Sequence, residues 1–281
     1  PYTTTDSNPG LTLTFPATFP SGQTPDEELP DGTTLTVDVS AANDSGTSGP
    51  VSATVQPESD TPDSPLAGLT TLYNGNTTGQ AIINGIDNVT NDGLIWIKAR
   101  DGSTNNLLYD TLRGVDSVLF SNTSNDAQAQ PPLVSFNNNG FSLGSESVSA
   151  INQSGVQYAA WNFGKAEGYF DVVQFNNSGQ LVPHALGTKP GFIITKFPDS
   201  SGDWVCYHSS ITNANSIKLN TTDGSGPTDF SDNEPDATNF SLSEFNWGSG
   251  NCIAYLFAED TPGVIKCGEY IGANSGASVV T

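Results

Sequence analysis

From residue 70 onward the apolar positions come in short runs, at 94–97, 117–120, 133–136, 141–143, 158–163 and 170–175. The runs are β-branched or aromatic in character and bounded by Asn, Gly, Ser and Asp clusters, the punctuation of strands and turns. No window sustains a 3.6-residue period, and Gly, Pro and Ser at this density penalise a helix. About seven or eight strands per hundred residues predict an all-β chain of antiparallel sandwiches. A jelly roll is the preferred topology, and an immunoglobulin-type Greek key satisfies the same spacing. Nearer the start, Leu35, Val37 and Val39 alternate with Thr36 and Asp38, the period-2 signature of a half-buried strand. Asn43-Asp44-Ser45-Gly46 supplies a turn, and Val51-Ser52-Ala53-Thr54-Val55 returns as the second arm of a hairpin.

The pattern repeats. Leu94-Ile95-Trp96-Ile97-Lys98 aligns with Phe192-Ile193-Ile194-Thr195-Lys196, Asp101 with Asp199, Tyr109 with Tyr207, and Asn122-Thr123 with Asn220-Thr221, all at one offset. Phe141-Ser142-Leu143 then matches Phe240-Ser241-Leu242, and Ala160-Trp161-Asn162-Phe163 matches Ala254-Tyr255-Leu256-Phe257 after small loop changes. A constant spacing of this kind marks tandem structural units. Tyr73-Asn74-Gly75 recurs at Phe175-Asn176-Asn177 and again at Tyr270-Ile271-Gly272, so the stretch from Tyr270 is expected either to close the second unit or to begin a third copy. The expected organisation is a small β portion over 1–57, a Pro-rich acidic linker over 58–68, one sandwich repeat over 69–172 and a second over 173–281. The hairpin of residues 33–55 resembles the last two strands of a fibronectin type III or immunoglobulin-like module, with one further strand expected at residues 11–15.

Composition narrows the chemistry. Eight Lys and Arg against 30 Asp and Glu leave a net charge of −22 over 281 residues. No basic residue precedes Lys98. A surface this acidic is repelled by phosphate backbones and by anionic membrane faces, which excludes nucleic-acid and membrane partners. It suits an extracellular or salt-adapted protein. There is no methionine, so the chain is expected to start by processing or to be a segment of something longer. No secretory signal and no apolar run of membrane-spanning length is present.

Candidate sites are sparse. Cys206, Cys252 and Cys267 lack CxxC spacing and read as buried free thiols. His208, beside Ser209 and Ser210, is the one place where a nucleophile and a base are adjacent, but its repeat counterpart is Asp110. His184 has no suitable neighbour in sequence. No catalytic or cofactor-binding residue is assigned. The acidic loop Asp229, Asp232, Glu234 and Asp236 offers oxygen ligands for Ca2+ but lacks the ordered spacing of an EF-hand, so a solvated loop is preferred. Among the tryptophans, Trp96 and Trp161 lie within apolar runs and are expected in the core, whereas Trp247, in a polar loop, is the candidate for surface binding.

Four stretches of the first unit carry a further likeness: residues 93–101, 107–114, 139–144 and 158–163, beginning Gly93-Leu94-Ile95-Trp96, Leu107-Leu108-Tyr109-Asp110, Asn139-Gly140-Phe141-Ser142 and Tyr158-Ala159-Ala160-Trp161. The second unit continues it with Trp204-Val205-Cys206-Tyr207-His208 and Ile253-Ala254-Tyr255-Leu256-Phe257. Together they resemble a repeat domain of tailed-bacteriophage virion proteins, frequent in phages of marine cyanobacteria. The resemblance covers residues 70–281 and implies a non-enzymatic structural component, with a tail fibre or spike for host attachment as the leading expectation. A capsid decoration protein, or an extracellular adhesin or filament subunit, are the alternatives. The implied partners are other virion proteins, a host surface glycan or protein, and further copies of the same chain, on an extracellular particle.

Overall fold

The computed structural model describes residues 68–129, 133–145, 151–227, 230, 233–243 and 250–270, together with the backbone of six short N-terminal strands. The chain divides into two compact units, Pro1–Ser64 and Pro65–Thr281. In the first, β1 (Tyr2–Thr5) pairs with β2 (Thr12–Phe15), β3 (Leu35–Val39) with β6 (Val51–Val55), and β4 (Ala42–Asn43) with β5 (Gly46–Thr47), all antiparallel. The expected hairpin forms, in the register Leu35↔Val55 to Val39↔Val51, and closes at Asn43↔Gly46. Tyr2–Thr5 is a strand that the apolar pattern does not announce, because threonines supply most of it.

The second unit is all-β, antiparallel among its described strands, and built twice. The first repeat contains β7 (Gly68–Asn74), β8 (Gln80–Ile83), β9 (Gly93–Ala99), β10 (Leu107–Asp110), β11 (Leu119–Phe120), β12 (Leu133–Asn137), β13 (Gly140–Leu143) and β14 (Gln157–Gly164). A large sheet of order β11-β10-β9-β14-β7 faces a small one of order β12-β13-β8. The second repeat contains β15 (Phe170–Asn177), β16 (Val182–Pro183), β17 (Pro190–Lys196), β18 (Val205–His208), β19 (Asn215–Lys218), β20 (Gly226–Pro227), β21 (Asn239–Phe240) and β22 (Gly250–Ala258), followed by the short hairpin β23 (Asp260–Thr261) and β24 (Ile265–Lys266). Its large sheet runs β15-β22-β17-β18-β19-β20 and its small one β16-β21. In both repeats the first strand pairs with the last and the second with the last but one, the nesting of a rolled antiparallel ribbon.

The repeated sequence positions have matching structural work. Tyr109 stands opposite Ile95 as Tyr207 stands opposite Ile193. Asn122 Oδ1 accepts the amide of Asn106 at 2.8 Å, and Asn220 Oδ1 accepts that of Trp204 at 2.8 Å. Lys98 Nζ donates to the Gly102 carbonyl at 2.9 Å, and Lys196 Nζ to the Ser200 carbonyl at 3.0 Å, each tying down the turn after its strand. Asp101 and Asp199 accept from the start of the last strand, at Gln157 N and Asn251 Nδ2. The β12–β13 turn requires a glycine: Gly140 has φ +142°, and a side chain there would strike the Ile82 carbonyl.

Three cores result. Ile95, Ile97, Leu107, Tyr109 and Tyr158 of the first large sheet pack on Ile82, Phe141 and Leu143 of its small sheet. Ile193, Tyr207, Ala254 and Leu256 of the second pack on Val182, Phe240 and Leu242. The third core lies between the two large sheets, where Leu94, Leu108 and Leu119 meet Ile194, Cys206, Ile253 and Tyr255. The repeats are therefore stacked back to back in the order small, large, large, small. This explains why β9 and β22 read as unbroken apolar runs: alternate residues feed different cores, and both faces are buried. Each fully buried aliphatic or aromatic side chain contributes about 1.5–3 kcal/mol.

Because the middle core belongs to both repeats, Ile194→Ala is expected to cost about 2–5 kcal/mol and to leave a single cooperative transition. Calorimetry in which the second unit, Pro65–Thr281, unfolds in two separated peaks would contradict the shared core.

Candidate functional site

The densest chemistry in the second unit lies at the seam between the large sheets. β10 ends at Asp110, the following turn brings Arg113 back over it, and β22 presents Tyr255 from the other repeat. Arg113 Nε meets Asp110 Oδ2 at 2.6 Å, and the Arg113 amide donates to Asp110 Oδ1 at 2.9 Å. Tyr255 donates its hydroxyl to Asp110 Oδ2 at 2.7 Å and accepts from Arg113 Nη2 at 3.2 Å. Arg113 also donates to the carbonyls of Ser117, at 2.7 Å, and Leu108, at 3.2 Å. All three side chains are buried. Burial pulls the Arg113 guanidinium down, but Tyr255 and Asp110 outweigh it and hold the charge firmly. Burial drives the Tyr255 phenol far above its ordinary value, so it remains a neutral donor. A buried acid, base and phenol so fully satisfied form a clasp: every donor faces an acceptor within the network. Further contacts cross the seam, among them those from Trp204 Nε1 to the Phe120 carbonyl at 2.9 Å, from the Ala127 amide to the Pro198 carbonyl at 2.7 Å and from the Gly202 amide to the Ser124 carbonyl at 2.7 Å.

A shallow groove beside the seam is lined by Leu112, Lys165, Asp171, Gln174 and His184. Buried Asp171 pairs with Lys165 Nζ at 3.0 Å and accepts the Ala185 amide at 2.6 Å. His184 Nδ1 accepts the Leu186 amide at 3.2 Å, while Nε2 lies 3.1 Å from the Asp236 carbonyl. The groove thus gathers a cation, a carboxylate and an imidazole, each engaged in holding a loop.

The residues singled out in the sequence are scattered rather than convergent. Trp247, Asp229 and Asp232 lie outside the described residues. Glu234 accepts from the Tyr207 hydroxyl, from Lys189 Nζ at 3.2 Å and from the Asn213 amide at 2.9 Å. Burial raises the Glu234 carboxyl, yet those hydrogen bonds prevail and hold it below the ordinary range. Asp236 caps the amides of Thr238 and Asn239 at 2.7 and 2.8 Å. Among the described residues no group of three or more His, Cys, Asp and Glu is placed to hold a metal. His208 Nδ1 accepts the Ser210 amide at 3.1 Å, and the Ser209 amide turns to the Gly191 carbonyl at 2.9 Å.

Cys206 and Cys252 are buried and Cys267 half-buried, all three as free thiols. Burial pushes the Cys206 thiol up to about 12 and Cys252 higher still. Trp204 is fully buried. Trp161 corrects the expectation of a core position: it is 36% exposed, edge-on to the half-buried Trp96 at 6.3 Å. The reason is stacking geometry. Its counterpart Tyr255 is covered by the other repeat, whereas the β14 and β7 end of the first large sheet extends past that cover.

One protein family, described as a domain of unknown function (DUF7483), matches residues 68–280. The chain belongs to that family. The match opens at the first residue of β7 and spans both repeats of this chain. No curated protein and no solved structure matches the chain.

Three outcomes follow from this chemistry. Asp110→Ala strands the Arg113 charge in the seam and is expected to cost about 3–5 kcal/mol in urea unfolding. A thiol reagent at pH 8 is expected to label Cys267 first in the native protein, with Cys206 and Cys252 reacting only on unfolding; equal rates at all three would contradict their burial. Glu234, depressed on folding, stabilises above 4.5, its ordinary value, and that contribution fades as pH falls through the folded value. Glu234→Gln should therefore destabilise at pH 7, with the gap to the parent protein narrowing in acid.

Proposed function

We propose that this chain is a non-enzymatic structural protein of a tailed-phage virion, serving as a tail fibre or spike component that attaches the particle to its host surface. The observation that carries this reading is the clasped, back-to-back doubling of the sandwich. Asp110, Arg113, Tyr255 and Lys196, four polar groups buried in the second unit, bond to one another or to backbone carbonyls that fasten turns and repeats. Such an arrangement favours mechanical rigidity over turnover, since a catalytic group needs an open bonding position toward a substrate. The motif resemblance to phage repeat domains supports the same reading, as does a charge of −22, which keeps a densely displayed protein dispersed. Copies arrayed on one particle would gain avidity from many weak host contacts.

Antibody raised against residues 68–280 and applied to intact particles is expected to label the tail. Labelling confined to the head shell would overturn the tail reading in favour of capsid decoration. Purified chain incubated with host surface polysaccharide is expected to be retained without shortening it, and shortened polysaccharide would overturn the non-enzymatic reading.

A further inference from the structure

We infer that β7 is a self-pairing edge, through which two copies of the chain join antiparallel into one continuous ten-stranded sheet. β7 ends the first large sheet and, among the described residues, has no strand on its outer side. It runs seven residues, Gly-Leu-Thr-Thr-Leu-Tyr-Asn, with no proline and no charge. Leu69 is 41% and Leu72 60% exposed. An edge that is long, apolar and uncharged is open to strand addition, because its outward amides and carbonyls lack partners.

The second repeat shows how the same fold closes this edge. There β15 occupies the place of β7, and Asp171 stands where the first repeat has Leu69: Asp171 faces Leu256 as Leu69 faces Asn162. The Asp171 carboxylate is drawn inward to Lys165 and the Ala185 amide, and residue 166 folds back to bond Phe170 in both directions. An inward charge and a folded-back chain are two devices that blunt an edge. β7 carries neither.

The occupant is a second copy because the edge complements itself and is the rare surface on which this polyanion does not repel itself. No charged residue lies between Asp63 and Asp87 in a chain of net charge −22. A two-fold axis at Thr71 sets Leu72 opposite Thr70 of the second copy, and Tyr73 opposite its Leu69. The central pairs join threonine, leucine and tyrosine, and no pair brings like charges together. Thr70 and Leu72 share the face that carries Trp161, so the joined edges would also bring the two exposed apolar strips side by side. The inference stands apart from the proposed function and holds for any role of the chain.

Sedimentation velocity on the full chain over a concentration series tests it. The parent protein is expected to pass from one to two chain masses. Leu72→Lys is expected to weaken that association by at least about tenfold, since two ammonium groups then approach across the axis. The added lysine lowers the overall negative charge, so a non-specific charge effect would strengthen association instead. Gln174→Lys, the same change at the matching position of β15, is expected to leave it unaltered. Thr70→Lys serves as a second edge variant if circular dichroism shows Leu72→Lys to be unfolded. A parent that stays monomeric throughout, a dimer indifferent to both edge variants, or equal disruption by Gln174→Lys would each overturn the inference. So would a monomer in which the edge variants only lower thermal stability, which would place a segment of the same chain on β7.

Discussion

Both large sheets must bury both of their faces, and the rest of the second unit follows from that requirement. A sheet with one apolar face is complete once a second sheet covers it. Here the outer faces of β9, β10, β17 and β22 also carry Leu94, Leu108, Ile194 and Ile253, so a single sandwich would leave a broad apolar surface in water. Stacking the repeats removes it. The cost is that polar groups caught at the junction need partners there, and the clasp of Asp110, Arg113 and Tyr255 supplies them. Neither repeat holds the full set, since the acid and guanidinium come from one and the phenol from the other.

The same requirement sorts the remaining side chains. Residues inside the seam became apolar or clasped, and those on the end strands kept freedom to differ. Trp161 and Tyr255 occupy equivalent strand positions, yet one meets solvent and the other a buried ion pair. Asp171 and Leu69 likewise diverge, because the edge of one sheet is folded under its own loop and the other has no strand beside it among the described residues.

The all-β class and the doubling were legible in the sequence because the strand runs are short and their spacing recurs. Lys98 with Lys196, Asn122 with Asn220 and Asp101 with Asp199 were visible as matched letters, and the turn and strand bonds they make account for their recurrence. The seam was not legible. A run such as Ile253 to Phe257 says that a strand is buried on two sides without saying what covers the second. The clasp was hidden for a related reason: Asp110 and Arg113 are near neighbours in sequence, but Tyr255 lies 145 residues from Asp110, and only the stacking brings it there. Trp161 departs from the core position its apolar run implies, because such a run does not specify how far along the strand the second sheet reaches. The acidic loop drew notice through composition, whereas Glu234 is tied to Tyr207, a core residue of another strand.

The faces that meet in the seam are equivalent faces: Leu94 with Trp96 and Leu108 in one repeat, Phe192 with Ile194 and Cys206 in the other. This is the geometry of a symmetric homodimer written into one polypeptide. In a true homodimer every substitution appears on both sides at once, so an asymmetric lock such as arginine against tyrosine cannot arise without its mirror image. Within one polypeptide that rule does not hold. Each half is free to differ, and position 110 holds an acid while its twin at 208 holds a histidine.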